Sequence, residues 1–213
     1  MTTFRLITIC LMLALGGTIA FSTTAQEPAP EAASSQEGAR TFAVDTVHSM
    51  TLFRIQHMGA GMFYGRFNDV TGTIGFDPEK GTDLSLDISI DINSIDSGHP
   101  GLDGHLKSPD FFNAVEFPKM TFKSSGTRML PDTKHPDGDV YEVEGDLTIH
   151  GVTKKIKVEV VHVGHRTTQR GERVGLECIF SIKRSDYGMP YGVEGDSIGD
   201  TTRIIVSLEA IAQ

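Results

Sequence analysis

VYEVEGDLTIHGVTKKIKVEVVHV, residues 140–163, decides the fold. Along its first half Tyr141, Val143, Gly145, Leu147 and Ile149 face one way; Glu142, Glu144, Asp146, Thr148 and His150 face the other. That period-two alternation belongs to a strand with one dry and one wet face. It resumes with Ile156, Val158 and Val160 on one side and Lys155, Lys157 and Glu159 on the other. A loop at residues 150–153 would set Leu147 opposite Ile156 and Val143 opposite Val160. On the wet side it would pair Asp146 with Lys157 and Thr148 with Lys155. The same register places His162 opposite Tyr141, as a polar end to the interior, and makes Gly145 a gap on the dry face where a ligand or a bend could pass.

The alternation recurs on both sides of this hairpin. Residues 41–47 and 50–57 read as short strands, and Thr51, Phe53, Ile55 and His57 share one face of the second. Residues 58–65 (MGAGMFYG) read as a bend or bulge, and residues 66–76 as the next strand. After the turn signature Asp77-Pro78-Glu79-Lys80-Gly81, Leu84, Leu86, Ile88, Ile90 and Ile92 alternate with Ser85, Asp87, Ser89 and Asp91. Residues 119–125, 173–183 and 201–211 complete eight or nine strands at short spacing. Such spacing predicts an all-β antiparallel sandwich or barrel, and the many glycines favour a coiled, closed sheet.

Only residues 98–115 break the pattern, as a short helical insertion. Residues 102–107 can form one turn or two, and Ser108-Pro109-Asp110 has the chemistry of a helix start. Phe111 and Phe112 follow, placed to close one end of a barrel.

The chain has 213 residues and a net charge of −9, with no basic stripe, which excludes a nucleic-acid surface. Arg5, the uncharged residues 6–21 and the small residues before Gln26 predict a signal peptide over residues 1–25 and hence export. Residues 26–40, QEPAPEAASSQEGAR, read as a flexible linker, which leaves residues 41–213 as one domain. Beyond the leader only Cys178 remains, so no intramolecular disulfide can form. Its strand face, shared with Val174, Leu176, Phe180 and Ile182, suits a buried, inert thiol.

Catalytic and metal motifs are missing. There is no G-x-S-x-G elbow, P-loop or G-x-G-x-x-G, and the carboxylates alternate onto the wet face. His99, Asp103 and His105, or His162 and His165, lack a zinc spacing. Neither catalysis, a metal nor a resident cofactor is expected.

Four segments together resemble one family: VDTVHSMTLFRIQHM (44–58), GLDGHLKSPDFFNAVEFPKMTFKS (101–124), VEGDLTIHGVTKKIKVEV (143–160) and FSIKRSDYGMPYG (180–192). In order and spacing they are similar to the YceI-like family across nearly all of residues 41–213. The resemblance implies an extended eight-stranded antiparallel barrel of lipocalin-like shape, exported to the periplasm. It also implies an elongated apolar cavity for a polyisoprenoid or isoprenoid quinone, and often a homodimer. Transient membrane contact for ligand exchange would follow.

An eight-stranded barrel has room for packed side chains or one slender ligand. Inward residues that would line such a cavity are Phe53, Ile55, His57, Phe76, Phe122, Tyr141, Val143, Leu147, Val158 and Phe180, with Phe111 and Phe112 from the insertion. Equally, they can pack on one another, leaving a solid scaffold for a stress-related interaction protein. His57, Arg184 and Tyr187 are head-group candidates. His57 can also be a core histidine satisfied by a neighbour, and Arg184 can pair with Asp186 or a sheet-edge carbonyl.

Overall fold

The computed structural model describes residues 38–213. The leader and the linker up to residue 37 lie outside the described residues. The ordered strands begin at Arg40, one residue before the boundary expected from sequence.

In chain order the elements are β1 (Arg40–Val44), β2 (Met50–His57), β3 (Gly61–Phe67), β4 (Val70–Asp77), β5 (Thr82–Asp91), β6 (Ile95–Asp96), α1 (Pro100–Leu106), β7 (Lys119–Met129), β8 (Asp139–Ile149), β9 (Val152–Thr168), β10 (Gly171–Lys183) and β11 (Thr201–Ala212). Every pairing is antiparallel. The order β1-β4-β5-β7-β8-β9-β10-β11 closes through β1 on β11, a ring of eight strands. β2, β3 and β6 prolong the wall, with β2 also on β11. Successive segments β1/β2, β3/β4 and β5/β6 are therefore three long strands, each bent once. The fold is the expected closed antiparallel barrel with one short helix.

The bends leave ladder groups that need partners. Ser49 Oγ donates to the Glu209 carbonyl and accepts from the Glu209 N–H. Ser94 Oγ donates to the Asp91 carbonyl and accepts from the N–H groups of Asn68 and Asp69. The single strand read over residues 66–76 is two, β3 and β4, broken at Asn68 and Asp69, where the buried positions change parity from Phe67 to Val70. The glycine-bearing stretch also differs from expectation: only residues 58–60 turn, and Gly61–Phe67 is strand.

The central hairpin keeps its two faces but shifts register by two. Its loop is the two residues His150 and Gly151, both at positive φ (50° and 73°), the conformation that matches the strands' twist. Val143 therefore faces Val158, Tyr141 faces Val160, Asp146 faces Lys155 and Glu144 faces Lys157. Leu147 faces Lys154 and Thr148 faces Thr153, while His162 lies opposite Asp139. A two-residue slip preserves inside and outside, which is why the alternation could not reveal it. Gly145 is no gap: a Cβ there would meet the Lys123 carbonyl oxygen at 2.5 Å and the Phe122 ring at 2.6 Å.

The insertion holds one helix, not two. His99 caps α1, accepting at Nδ1 from the Leu102 N–H, and Pro100 opens it. Ser108 caps a turn instead of a helix: its Oγ accepts from the Asp110 N–H, and Asn113 at φ 46° reverses the chain. No helix among the described residues is long and apolar enough to cross a membrane. The outer wall of β7–β9 is charged, with Lys155 and Lys157 each reaching carboxylates on β8, which does not suit a lipid-facing barrel surface.

Two apolar clusters occupy the barrel interior. One end is packed solid by Phe42, Ile74, Phe76, Tyr141, Val143 and Val174 with their neighbours. The other joins Phe53, Phe67, Leu106, Phe111, Met120 and Tyr187, so the insertion is its cover.

Beside the solid end Arg173 Nη1 contacts Asp45 Oδ2 at 3.1 Å and Glu209 Oε1, and His48 Nδ1 meets Asp45 Oδ2 at 2.9 Å. Asp45, His48 and Glu209 have the donor types of a cation site, but the guanidinium already supplies the positive charge. Bonds from His48, the Val47 N–H and Arg173 hold the Asp45 carboxyl at about 2. A carboxyl whose folded pKa is depressed stabilises the fold above its unfolded value, and that contribution drains away as pH falls from about 4 through about 2. Asp45→Asn is expected to lower the melting temperature at pH 7 by about 3 °C, and the gap from wild type to close at pH 2, read by circular dichroism.

Candidate ligand-binding cavity

Between the two clusters the strands leave a cavity of about 720 Å³. Its long axis follows β2, whose inward residues Thr51, Phe53, Ile55 and His57 all line it. Six residues at ~3.4 Å each span ~20 Å, so the space is long and narrow. Its volume is that of a pocket for one ligand. Leu86, Ile88, Val158, Val160, Leu176 and Leu208 form the deep part; His57, Met58, Met62 and Tyr191 form the rim.

Of the residues singled out from sequence, Phe53, Ile55, His57, Phe111, Phe112, Phe122, Leu147, Val158 and Phe180 line this cavity. Phe76, Tyr141 and Val143 do not. They face inward, as alternation requires, but belong to the solid end. Phe76 packs edge-on to Tyr141 with ring centroids 6.0 Å apart, and the Tyr141 hydroxyl donates to the Gly81 carbonyl at 3.0 Å. Parity assigns a face, whereas depth along the axis depends on which strands tilt past one another. His162 meets Phe76 edge-on with ring centroids 4.7 Å apart, outside the cavity, with Nε2 unpartnered among the described residues. Burial lowers its pKa, against the pull of the Gly164 backbone and Asp139.

The head-group candidates separate. Tyr187 is buried beneath the open-end cluster, with Lys154 Nζ 5.8 Å from its ring centroid, and it does not line the cavity. Arg184 borders the cavity but is only 4% exposed, and its guanidinium is committed. Nε donates to the Gly199 carbonyl at 2.8 Å, Nη1 to Met189 at 2.6 Å and Nη2 to Ile198 at 2.9 Å. Burial pushes its pKa down despite Asp200 nearby. Arg184 thus ties the chain segment 188–200 against the wall. His57 remains at the rim, exposed, in a bridge to Ile198.

Cys178 faces the cavity beside Val160 and Val206. Burial first, then Glu177 and Glu159, push its thiol up to about 12, so it is inert at neutral pH.

Sequence reasoning missed Phe63, Phe67, Leu102, His105, Met189 and Tyr191. Reading residues 61–67 as a strand would have found the first two by parity. The others meet only in three dimensions: His105 packs edge-on to Phe111 at 5.0 Å and to Tyr191 at 5.3 Å between ring centroids, joining the insertion to segment 188–200 over the mouth.

Comparison with known proteins bears on this architecture. The YceI-like domain profile matches residues 42–210. The chain belongs to the YceI-like family. Protein YceI of Escherichia coli O157:H7 is 33% identical over 167 residues, 78% of this chain and 83% of that one. Among solved structures, Burkholderia cenocepacia BcnA superposes with a TM-score of 0.67 at 25% identity, covering 78% of this chain and 99% of that one. A polyisoprenoid binding domain from Saccharophagus degradans, at 17% identity and a TM-score of 0.60, covers 81% and 98% and shares the fold.

If Arg184 is a structural tie, Arg184→Ala is expected to strand three carbonyls and destabilise the protein by about 3 kcal/mol in urea unfolding.

Proposed function

We propose that this YceI-like protein is a non-catalytic periplasmic carrier that shelters one long isoprenoid, a polyprenyl lipid or an isoprenoid quinone, inside its barrel. The observation that carries this is the long apolar cavity left between two packed clusters. A solid scaffold would have side chains meeting across the axis at Ile88, Cys178 and Ile204; these instead border open space. Each isoprene unit buries five carbons, and at ~0.8 kcal/mol per methylene-sized group a few units supply ample gross affinity. A ~20 Å slot suits a linear chain better than a compact ligand. His57 and His105 at the mouth are the ring nitrogens within reach of a polar head group. The family membership and the isoprenoid-binding neighbour of the same fold support the assignment, and the leader read in residues 1–25 supports export.

Protein purified from a bacterial host without detergent, then denatured and extracted into organic solvent, is expected to yield one isoprenoid class by mass spectrometry, near one molecule per chain. Cys178→Trp, which fills the middle of the slot, should reduce the yield at least tenfold while the protein stays folded. An empty wild-type extract, or full recovery from Cys178→Trp, would sink the proposal.

A further inference from the structure

The β2–β3 hairpin has an outer face that the carrier role alone does not explain. Its turn, residues 58–60, stands at the cavity mouth, and Met58 and Met62 are 65% and 49% exposed while also lining the cavity. From Ile55 to Gly65 the sequence IQHMGAGMFYG has no Asp, Glu, Lys or Arg, in a chain that is 22% charged. Behind the tip Tyr64, 56% exposed, lies directly across from Arg54, which lies directly across from Arg203 on β11. Adjacent like charges on neighbouring strands are destabilising. Arg40, Arg66, Arg128 and Arg173 each hold a carboxylate. Arg54 and Arg203 hold none among the described residues, and Arg54 Nε is buried without a partner. In a chain of net charge −9, two facing arginines without acids mark a place where an anion is to be supplied from outside.

We propose that this hairpin is a membrane-docking element: its methionine tip enters the acyl boundary of a phospholipid surface, Tyr64 lies at the interface, and Arg54 with Arg203 meets the phosphates. The proposal rests on the carrier function and names where the carrier takes up its cargo. Its dimensions agree. Met58 lies four positions beyond Arg54, ~13 Å along the chain, against the ~5–10 Å by which apolar interfacial elements bury themselves and the phosphate layer above. Aromatic rings favour that boundary. Segment 188–200 exposes Glu194 and Asp196, so this is no broad basic patch; attraction is concentrated at the arginine pair, which suits phosphates interleaved with ammonium head groups. Because Met58 and Met62 belong to both tip and cavity rim, a chain leaving the bilayer reaches the slot without crossing water.

The test places a polarity-sensitive thiol dye on the full chain at A60C in a background carrying C10S and C178S, since Cys178 borders the cavity. With vesicles of phosphatidylethanolamine and phosphatidylglycerol, the dye is expected to shift to the blue and to be quenched by brominated acyl chains. A second dye site, R170C in the β9–β10 turn, should stay silent. Arg54→Glu with Arg203→Glu should weaken vesicle partition at least tenfold, and Met58→Asp with Met62→Asp should do the same. Both variants should keep their melting temperature within a few degrees. An equal response at both dye sites would overturn the proposal, as would no response at the tip or an unweakened response in both stable variants. So would a blue shift that follows protein concentration without vesicles, which would make this face a contact between copies. A tip response alongside an empty organic extract would uphold docking and refute the isoprenoid cargo.

Discussion

Closure of the sheet on itself is the constraint on which everything else depends. β11 pairs with β10 along one edge and divides its other edge between β1 and β2. Each strand of the eight-membered ring has a partner on both sides over part of its length, although β9 residues 152–159 pair only with β8 and β10 residues 179–183 only with β11. A ring of eight leaves an interior only wide enough for side chains or a single slender chain. Whether that interior is solid or open then depends on how large the inward residues are at each height. Phe42, Phe76 and Tyr141 fill one end. Around Cys178, Val160 and Val206 smaller side chains border open space instead.

Bending extends the same wall beyond the ring. Ser49 and Ser94 substitute hydroxyl groups for missing ladder partners where the long strands turn, and β2 and β3 lean past the ring to form one side of the cavity mouth. The other side is built from segments without regular structure. α1 and the turns after it bring Phe111 and His105 against Tyr191, and Arg184 anchors segment 188–200 through three backbone carbonyls. A buried guanidinium is well suited to this, since its planar fork can satisfy several acceptors that would otherwise be orphaned. The site is thus a rigid sleeve with a mouth assembled from loops, a common division between scaffold and function.

Polarity is distributed to match. Outside, Lys155 and Lys157 face Glu144 and Asp146 across the hairpin, solvated pairs that add little stability but keep the wall soluble. Inside, the thiol of Cys178 and the imidazole of His162 are both shifted toward their neutral forms by burial. Neither has the partners a general acid or base would need.

The sequence by itself determined the inside and the outside. Strict alternation over residues 84–92 and 140–160 specified strands, their faces and an all-β closed sheet, because side-chain direction has a period of two whatever the pairing. The motif segments carried the family. Alternation could not supply register or depth. A slip of two residues leaves every face unchanged, so the two-residue His150–Gly151 turn was invisible until its positive φ angles were seen. Nor could parity say that Val143 lies in the solid end while Leu147 borders the cavity, four residues further along one face. Only the tertiary structure decided these points, because depth in a barrel is set by how tilted strands stagger around the ring, a property of all eight together.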